Sequence, residues 1–248
     1  MTGEYGDSNL KILEYFEGVG GVGQLFSDER LFQIIERFKT SLVFIAAPLT
    51  EPPCVRCTRL SCPGVDACED IEVAYMHYMV NQSPKSKKRK RPVNPQTQRL
   101  WDVKRWADPE IEAEEPSYSA NKAPITVRAK TLYRRLRELD FPVEVKETQV
   151  SGMLQCFSSR LGIRPQRLAE YRAFEVGRER RQEIVERLFR LKIVDLNFLD
   201  ECATSPENFG ALWAAIAAKI HQAGKTRVPT NALFEKAGWV YLPDPSAI

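Results

Sequence analysis

Hydrophobic and polar residues follow two periodic patterns along the chain, one typical of helices and one typical of strands. Apolar residues recur at helical spacing in residues 27–40, 126–139 and 175–193, which predicts three amphipathic helices. Residues 205–224 are apolar nearly all round, which predicts a buried helix. Ser205 is the predicted N-cap of that helix.

The strand pattern appears in four places. Residues 41–49 form a near-continuous apolar run, which predicts a strand buried on both faces, as in α/β sheets. Residues 10–18 and 141–150 partly alternate between apolar and polar side chains and are predicted strands. Residues 237–243 predict a short terminal strand. The order of these elements predicts one α/β domain over residues 1–248.

One part of the chain shows neither the helical nor the strand pattern. Residues 50–122 are predicted to be an insertion in the domain, and residues 81–122 are polar, punctuated by prolines and then acidic. We expect residues 81–122 to be a long excursion outside the core.

Composition narrows the class of protein. The hydrophobic fraction of 43% and charged fraction of 28% are typical of a globular domain. A net charge of +3 means that attraction to nucleic acid must come from local clusters of charge. No signal peptide is visible, and the apolar runs are too short to cross a bilayer. We therefore expect no membrane partner and a cytoplasmic location, where thiols stay reduced.

Four of the six cysteines lie close together, at the spacing Cys54-x2-Cys57-x4-Cys62-x5-Cys68. Zinc prefers four tetrahedral ligands, and a C-x2-C pair lets two thiolates reach one ion from a tight turn. A four-cysteine iron–sulfur cluster is an alternative, although the spacing matches neither ferredoxin pattern. Redox chemistry and plain packing also stay open. A metal held by all four cysteines would be structural, because no coordination position is left open.

The remaining cysteines and histidines show no clear metal-binding pattern. Cys156 and Cys202 lie on unexceptional segments, and we expect them to pack as small hydrophobic residues. His77, nine residues after Cys68, is either a spare zinc ligand or a histidine on a helix surface. The glycines of residues 18–23 do not fit the dinucleotide-binding pattern, which favours a loop there.

A basic run occupies residues 85–91, where six of seven side chains are positive. Such a run neutralises phosphates and predicts salt-dependent binding to DNA or RNA. A solvated loop without a ligand is the alternative. The candidate nucleic-acid-binding residues are Lys85, Lys87, Lys88, Arg89, Lys90, Arg91 and Arg99.

Several short motifs of the chain resemble those of one known protein family. VFIAAPLTEPPCVRC resembles a hydrophobic strand followed by Asp-Ala-Pro-Leu and a proline in that family. KRKRPVNPQTQRLWD resembles the basic stretch and Thr-Gln-Arg motif of its cysteine-containing branch. VEVKET is similar to its Ile-Glu-Val strand, and ENFGALWAAIAAKIHQAG with GWVYLP is similar to its closing helix and terminal strand. The family is one of predicted nucleases with an RNase H-like fold, so the resemblance implies an RNase H-like mixed sheet flanked by helices.

The resemblance also implies a set of catalytic acids, which this chain lacks in part. RNase H-like enzymes use clustered carboxylates to hold two magnesium ions on a phosphodiester. The family's strand aspartate corresponds to Ala46 and its helix aspartate to Gly210. The usual first strand is missing or shortened, with Glu4 and Asp7 near its place. The remaining candidate catalytic residues, which would hold Mg²⁺ or Mn²⁺, are Glu144, Glu147 and Asp102.

These observations predict a nucleic-acid-associated protein of RNase H-like fold, with metal-dependent phosphodiester hydrolysis if it is active. Depletion of acids at Ala46 and Gly210 leaves two explanations open, a naturally degenerate nuclease or an engineered inactive one. Glu144 and Glu147 could instead be a solvent-facing pair on a half-buried strand. The alternative functions are a non-catalytic, zinc-stabilised protein-interaction module and an iron–sulfur redox protein.

Overall fold

The computed structural model describes residues 25–82, 93–107, 118–119, 122–173, 175–195 and 199–248. Within these ranges the chain is mostly helical, with a small parallel sheet. The elements are α1 (Leu25–Phe38), β1 (Leu42–Ile45), α2 (Ile71–Gln82), α3 (Leu100–Ala107), α4 (Ala123–Leu136), β2 (Glu144–Glu147), α5 (Val150–Leu161), α6 (Pro165–Leu168), α7 (Gly177–Arg190), α8 (Leu199–Thr204), α9 (Pro206–Gln222) and α10 (Ala232–Ala237).

β1 and β2 pair in parallel, with Leu42 opposite Glu144 and Ile45 opposite Glu147. A third segment extends this pair, because Val240 forms a parallel bridge with Glu147. The Tyr241 amide donates a hydrogen bond of 2.8 Å to the Glu147 carbonyl. Three chain segments therefore run side by side in one direction.

Helices cover both faces of the sheet. Successive strand residues point to opposite sides, so each strand packs against both layers of helices. On one face, Val43 and Val145 pack against a cluster containing Phe32 of α1 and Leu136 of α4. On the other face, Phe44 packs against the main hydrophobic cluster, which includes much of α9. The strands thus lie in the middle of a three-layer α/β/α arrangement.

The main core lies among α3, α5, α7, α9 and the segment that follows α10. Its largest side chains meet edge to face, with the ring centroids of Trp101 and Trp239 4.9 Å apart and those of Phe157 and Trp213 5.3 Å apart. Aromatic pairs in this arrangement add to the stabilisation gained from burying apolar area. This packing fixes α3 and α5 beside the carboxyl ends of the strands.

The structure confirms the α/β class, with more helix and less sheet than the sequence predicts. The strands predicted at 41–49 and 141–150 are present in shortened form. The predicted terminal strand forms two isolated bridges, a parallel one from Val240 to Glu147 and an antiparallel one from Pro243 to Thr226. The strand predicted at 10–18 lies outside the described residues. The predicted N-cap is confirmed, because the Ser205 hydroxyl accepts a 3.1 Å hydrogen bond from the Asn208 amide.

The prediction that residues 81–122 lie outside the core is wrong for α3. Leu100, Trp101 and Val103 have side chains no more than 1% exposed, within the main hydrophobic cluster. The polar, proline-rich residues on either side conceal this short amphipathic helix in the sequence. Among the helices of the described ranges, none has the length and apolar character needed to span a membrane.

Gly238 occupies a position that a side chain would disturb. Its φ of +100° is rare for other residues, and a Cβ there would overlap the Thr50 hydroxyl. We expect Gly238→Ala to lower the free energy of unfolding by about 3 kcal/mol, from backbone strain and overpacking together. Gly224→Ala is the matched control, because φ is +68° and a Cβ there meets nothing within 4 Å.

The control variant is expected to lose only about 1 kcal/mol, since it carries the backbone cost without the collision. Urea denaturation of both variants measures the difference. Equal losses would show that a side chain at position 238 does not collide with Thr50.

Candidate functional site

The carboxyl ends of the parallel strands meet at one edge of the sheet, which we call the strand edge. It comprises residues 46–51 after β1, Glu147 to Gln149 at the end of β2, and residues 239–241. Ligand sites in open α/β sheets lie at such edges. Parallel pairing of β1 with β2 places the loop that carries the cysteines here.

A buried ion pair occupies the centre of the strand edge. The Glu147 carboxylate accepts hydrogen bonds from Nη1 and Nη2 of Arg99, at 2.7 and 2.8 Å. It also accepts a bond of 2.9 Å from the Leu49 amide. The two side chains are only 5% and 2% exposed. Both oxygens of this carboxylate are therefore held by protein donors.

Arg99 has further partners, which fix it at the start of α3. Its backbone amide donates to Oδ2 of Asp102 at 2.8 Å, and Nη1 donates to the Thr50 hydroxyl at 3.3 Å. Burial by itself lowers the pKa of Arg99, but the charges of Glu147 and Asp102 outweigh it and raise that pKa. Arg99 is thus charged, and its guanidinium faces the carboxylate and not the solvent.

The strand edge has a second, more exposed ion pair at its rim. Glu51 accepts a hydrogen bond from Lys130 of α4 and lies 3.4 Å from the Tyr118 hydroxyl, which donates to it. Burial, and then the negative charge of Glu51, raise the pKa of Tyr118, while Lys130 acts in the opposite direction. The acids that follow β1 and end β2 are both neutralised by basic side chains.

Glu144 lies apart from this pair. Three positions separate it from Glu147 on one strand, so the two side chains point to opposite faces of the sheet. The Glu144 carboxylate is 53% exposed and contacts Nζ of Lys146 at 2.7 Å. The hydrogen bond from Lys146 lowers the pKa of Glu144, although burial opposes it. Glu144 and Glu147 therefore do not form one cluster of carboxylates.

His221 of α9 completes the group around Glu144. Its Nδ1 lies 2.8 Å from the Thr226 hydroxyl, and its Nε2 lies 3.9 Å from Glu144. The ring packs against Phe44 and Tyr241, with centroid distances of 5.5 and 5.0 Å. Burial lowers the pKa of His221, which the nearby Glu144 only partly offsets. This group is a packed polar cluster and not an open site.

The two positions where the resemblance implies aspartates have apolar surroundings. Ala46 is half-buried and packs against the main hydrophobic cluster. Gly210 is buried on α9, where a Cβ would meet a Val150 methyl group at 3.6 Å, an ordinary contact. Neither position supplies an oxygen ligand from its side chain.

The structure describes only part of the predicted nucleic-acid-binding set. Lys85, Lys87, Lys88, Arg89, Lys90 and Arg91 lie outside the described residues, as do Glu4 and Asp7. Arg99 is described, and its burial against Glu147 keeps it from reaching a phosphate in this conformation. The basic run stays a prediction from the sequence.

The four clustered cysteines are at the surface. Cys57 and Cys62 are exposed, Cys54 and Cys68 are half-buried, and all are free thiols. Burial, and then the neighbouring thiols of Cys68, Cys62 and Cys57, raise the pKa of Cys54. Among the described residues, no three Cys, His, Asp or Glu side chains already stand in a metal-binding arrangement.

The other cysteines pack as the sequence predicts. Cys202 is buried in the main cluster, where burial raises its pKa to about 11, and Cys156 packs half-buried against that cluster. His77 lies on α2 with a half-buried ring, and its Nε2 has no hydrogen-bond partner among the described residues.

Several residues of the strand edge have no signal in the sequence. Thr50 bridges Arg99 to the Ala237 carbonyl, to which its hydroxyl donates at 2.7 Å. Lys130 meets Glu51 from 79 positions away in the sequence. The position of Glu51 just after the β1 segment was the one available clue, because strand ends collect functional groups.

Comparisons with known proteins return nothing: no protein-family model, curated protein or solved structure matches the chain. The resemblance to RNase H-like predicted nucleases therefore stays a prediction based on the motifs.

Breaking the central ion pair is expected to be costly. Glu147→Gln removes the nearer of the two carboxylates that balance the buried Arg99 and leaves Asp102, 3.5 Å away. We therefore expect the free energy of unfolding to fall by about 3 kcal/mol. Glu144→Gln is the matched control, and an exposed pair of this kind contributes about 0.5 kcal/mol. Urea denaturation measures both losses. Similar small losses in the two variants would contradict the central position given to the pair.

His221 is expected to make stability depend on pH. Its folded-state pKa lies below the ordinary value of 6.5, so the unfolded chain binds more protons in this range. The stabilisation is present above that ordinary value and is lost as the pH falls below it. Urea midpoints measured from about pH 7 to pH 5 should decline less steeply in His221→Gln than in the wild type.

Glu144 does not contribute to this pH dependence, because its pKa is lowered from 4.5 and therefore lies below the range of pH 5 to 7. The charged and polar groups facing the imidazole are Glu144, Lys146, Thr226 and Tyr241. Parallel pH profiles for the wild type and His221→Gln would show that this imidazole does not contribute.

Proposed function

We propose that the chain is a nucleic-acid-binding protein of RNase H-like descent that does not hydrolyse phosphodiesters. The observation that carries this proposal is the ion pair between Glu147 and Arg99 at the strand edge. A nuclease of this kind would gather metal-binding acids at this edge. Here the carboxylate of Glu147 is instead neutralised by Arg99 of the same chain.

The described acids do not meet the needs of two-metal hydrolysis. Two hard cations require several carboxylate oxygens directed at a common point. Glu147 gives its oxygens to Arg99 and the Leu49 amide, and Asp102 accepts from Arg99. Glu144 faces the other side of the sheet. The described part of the chain thus offers no converging set of free acids.

The basic run at residues 85–91 is the segment that would bind nucleic acid. Its described neighbours are anchored, since α2 ends at Gln82 and residues 94–97 form a turn that leads into Arg99. The Cys54 amide donates a 3.0 Å hydrogen bond to the Pro95 carbonyl in this turn. The described turn that follows the basic run in the sequence is therefore held against Cys54, beside the strand edge.

The same arrangement favours a polyanion as the partner. Six positive charges in a short segment attract phosphates through release of counterions, without requiring a particular sequence. A cytoplasmic location, as expected from the sequence, supplies RNA and, in cells without a nucleus, DNA. A protein partner is the rival, and salt dependence separates the two.

Binding should be tested with fluorescently labelled single- and double-stranded DNA and RNA at several salt concentrations. We expect the logarithm of affinity to fall steeply with the logarithm of salt concentration. Replacing the six basic residues of 85–91 by Gln should flatten the slope by up to about 5, since each phosphate contact contributes about 0.9. The matched control replaces Arg187 and Arg190, which already pair with Glu183 and Glu186.

The control should bind like the wild type. Affinity that is absent, or that is insensitive to the 85–91 substitutions, would contradict nucleic-acid binding and favour the protein-interaction module. Incubation of the same substrates with Mg²⁺ or Mn²⁺ should give no cleavage. Cleavage by the wild type that is lost in Glu147→Gln would overturn the non-hydrolytic half of the proposal.

A further inference from the structure

The second part of the loop between β1 and α2, residues 55–70, has no hydrophobic anchor. Residues 46–70 contain no helix or strand, and none of the residues 55–71 has a buried side chain. Leu60 is fully exposed and Val55 is 45% exposed, so neither anchors the loop. Loops of this length without internal structure are uncommon in compact domains, and another interaction usually holds them.

The cysteines of this loop do not behave as packing residues. Unpaired cysteine is among the most buried residue types in proteins, as Cys202 illustrates in this chain. Cys57 and Cys62 are exposed, and Cys54 and Cys68 are half-buried. Packing therefore does not explain why four thiols occur in this loop.

Two of the four cysteines lie in a single turn. The Cys57 amide donates to the Cys54 carbonyl at 3.4 Å, which brings these two residues together. This turn is the arrangement in which a C-x2-C pair presents two thiolates to one ion.

Contacts join the two flanks of the loop to each other and to the rest of the chain. Arg56 pairs with Glu72 at the start of α2 at 2.6 Å, and Arg59 pairs with Glu69 at 3.4 Å. The Cys54 amide is held by the Pro95 carbonyl at 3.0 Å. These contacts bring the two ends of the cysteine segment towards each other, so the thiols lie on a nearly closed loop.

From these observations we infer that Cys54, Cys57, Cys62 and Cys68 bind one structural zinc ion, which holds residues 54–68 against the start of α2. The described positions of the thiols require a further closing of the loop to reach tetrahedral geometry. That movement breaks no core packing, because residues 55–71 bury no side chain. Gly64, with φ of +93° and open space around it, lies at the centre of the loop.

Zinc is favoured over an iron–sulfur cluster because the cysteine spacing matches neither ferredoxin pattern. Four thiolates leave no open position, so the ion would be structural and not catalytic. This inference is independent of the proposed function, since the loop would need the ion whether or not the chain binds nucleic acid.

The test is metal analysis of untagged protein purified from zinc-supplemented cells without chelators. We expect one zinc per chain in the wild type and in Cys156→Ser, the matched control. Cys57→Ser and Cys62→Ser should lose the zinc while keeping the far-ultraviolet circular dichroism of the wild type, because both side chains are exposed. Exchange with Co²⁺ should give the absorption bands of a tetrahedral thiolate site in the wild type alone.

Limited proteolysis gives a second measurement, which does not depend on how the variants fold. A strong zinc chelator should make the wild type more susceptible to cleavage within residues 55–67, and added zinc should restore protection. Wild-type protein without zinc, equal zinc in Cys57→Ser, or cleavage that ignores the chelator would each overturn the inference. Brown protein containing iron and acid-labile sulfide would overturn it in favour of a cluster.

Discussion

The ion pair between Glu147 and Arg99 is the interaction on which the rest of the structure depends. Buried charges are tolerated only when they are paired and hydrogen-bonded, and here the Leu49 amide and the Thr50 hydroxyl complete the set. Thr50 in turn binds the Ala237 carbonyl. One polar network thereby joins both strands, the start of α3 and the end of α10, and fixes the strand edge.

The same network decides what the strand edge can do. A parallel pair of strands covered by helices on both faces is a common scaffold for catalysis at its carboxyl edge. Here the acids at that edge are engaged by arginine and lysine, and alanine and glycine stand where the resemblance implies aspartates. The cysteine loop follows this neutral edge directly after β1, and the basic run precedes Arg99 in the sequence. We therefore propose that binding depends on these two segments and not on the centre of the edge.

Local patterns predicted the layers of the fold but not the contacts between them. The apolar run at residues 41–49 predicts β1, and Ser205 predicts the start of α9, because both signals are local in the sequence. Arg99 and Glu147 are 48 positions apart, and nothing in either segment identifies the other as its partner. The strand pattern of β2 does contain one usable signal, since residues three apart point to opposite faces of a sheet. On that ground the sequence predicts that Glu144 and Glu147 do not belong to one site.

The central claim is that the strand edge is neutralised and holds no hard cation. Titration of the metal-free protein with Mn²⁺, followed by electron paramagnetic resonance, tests it directly, because bound Mn²⁺ loses the signal of the free aqueous ion. Mn²⁺ prefers oxygen ligands and binds weakly to thiolates, so the cysteine loop does not interfere. The account predicts no stoichiometric binding. One tightly bound Mn²⁺ per chain that disappears in Glu147→Gln would contradict it.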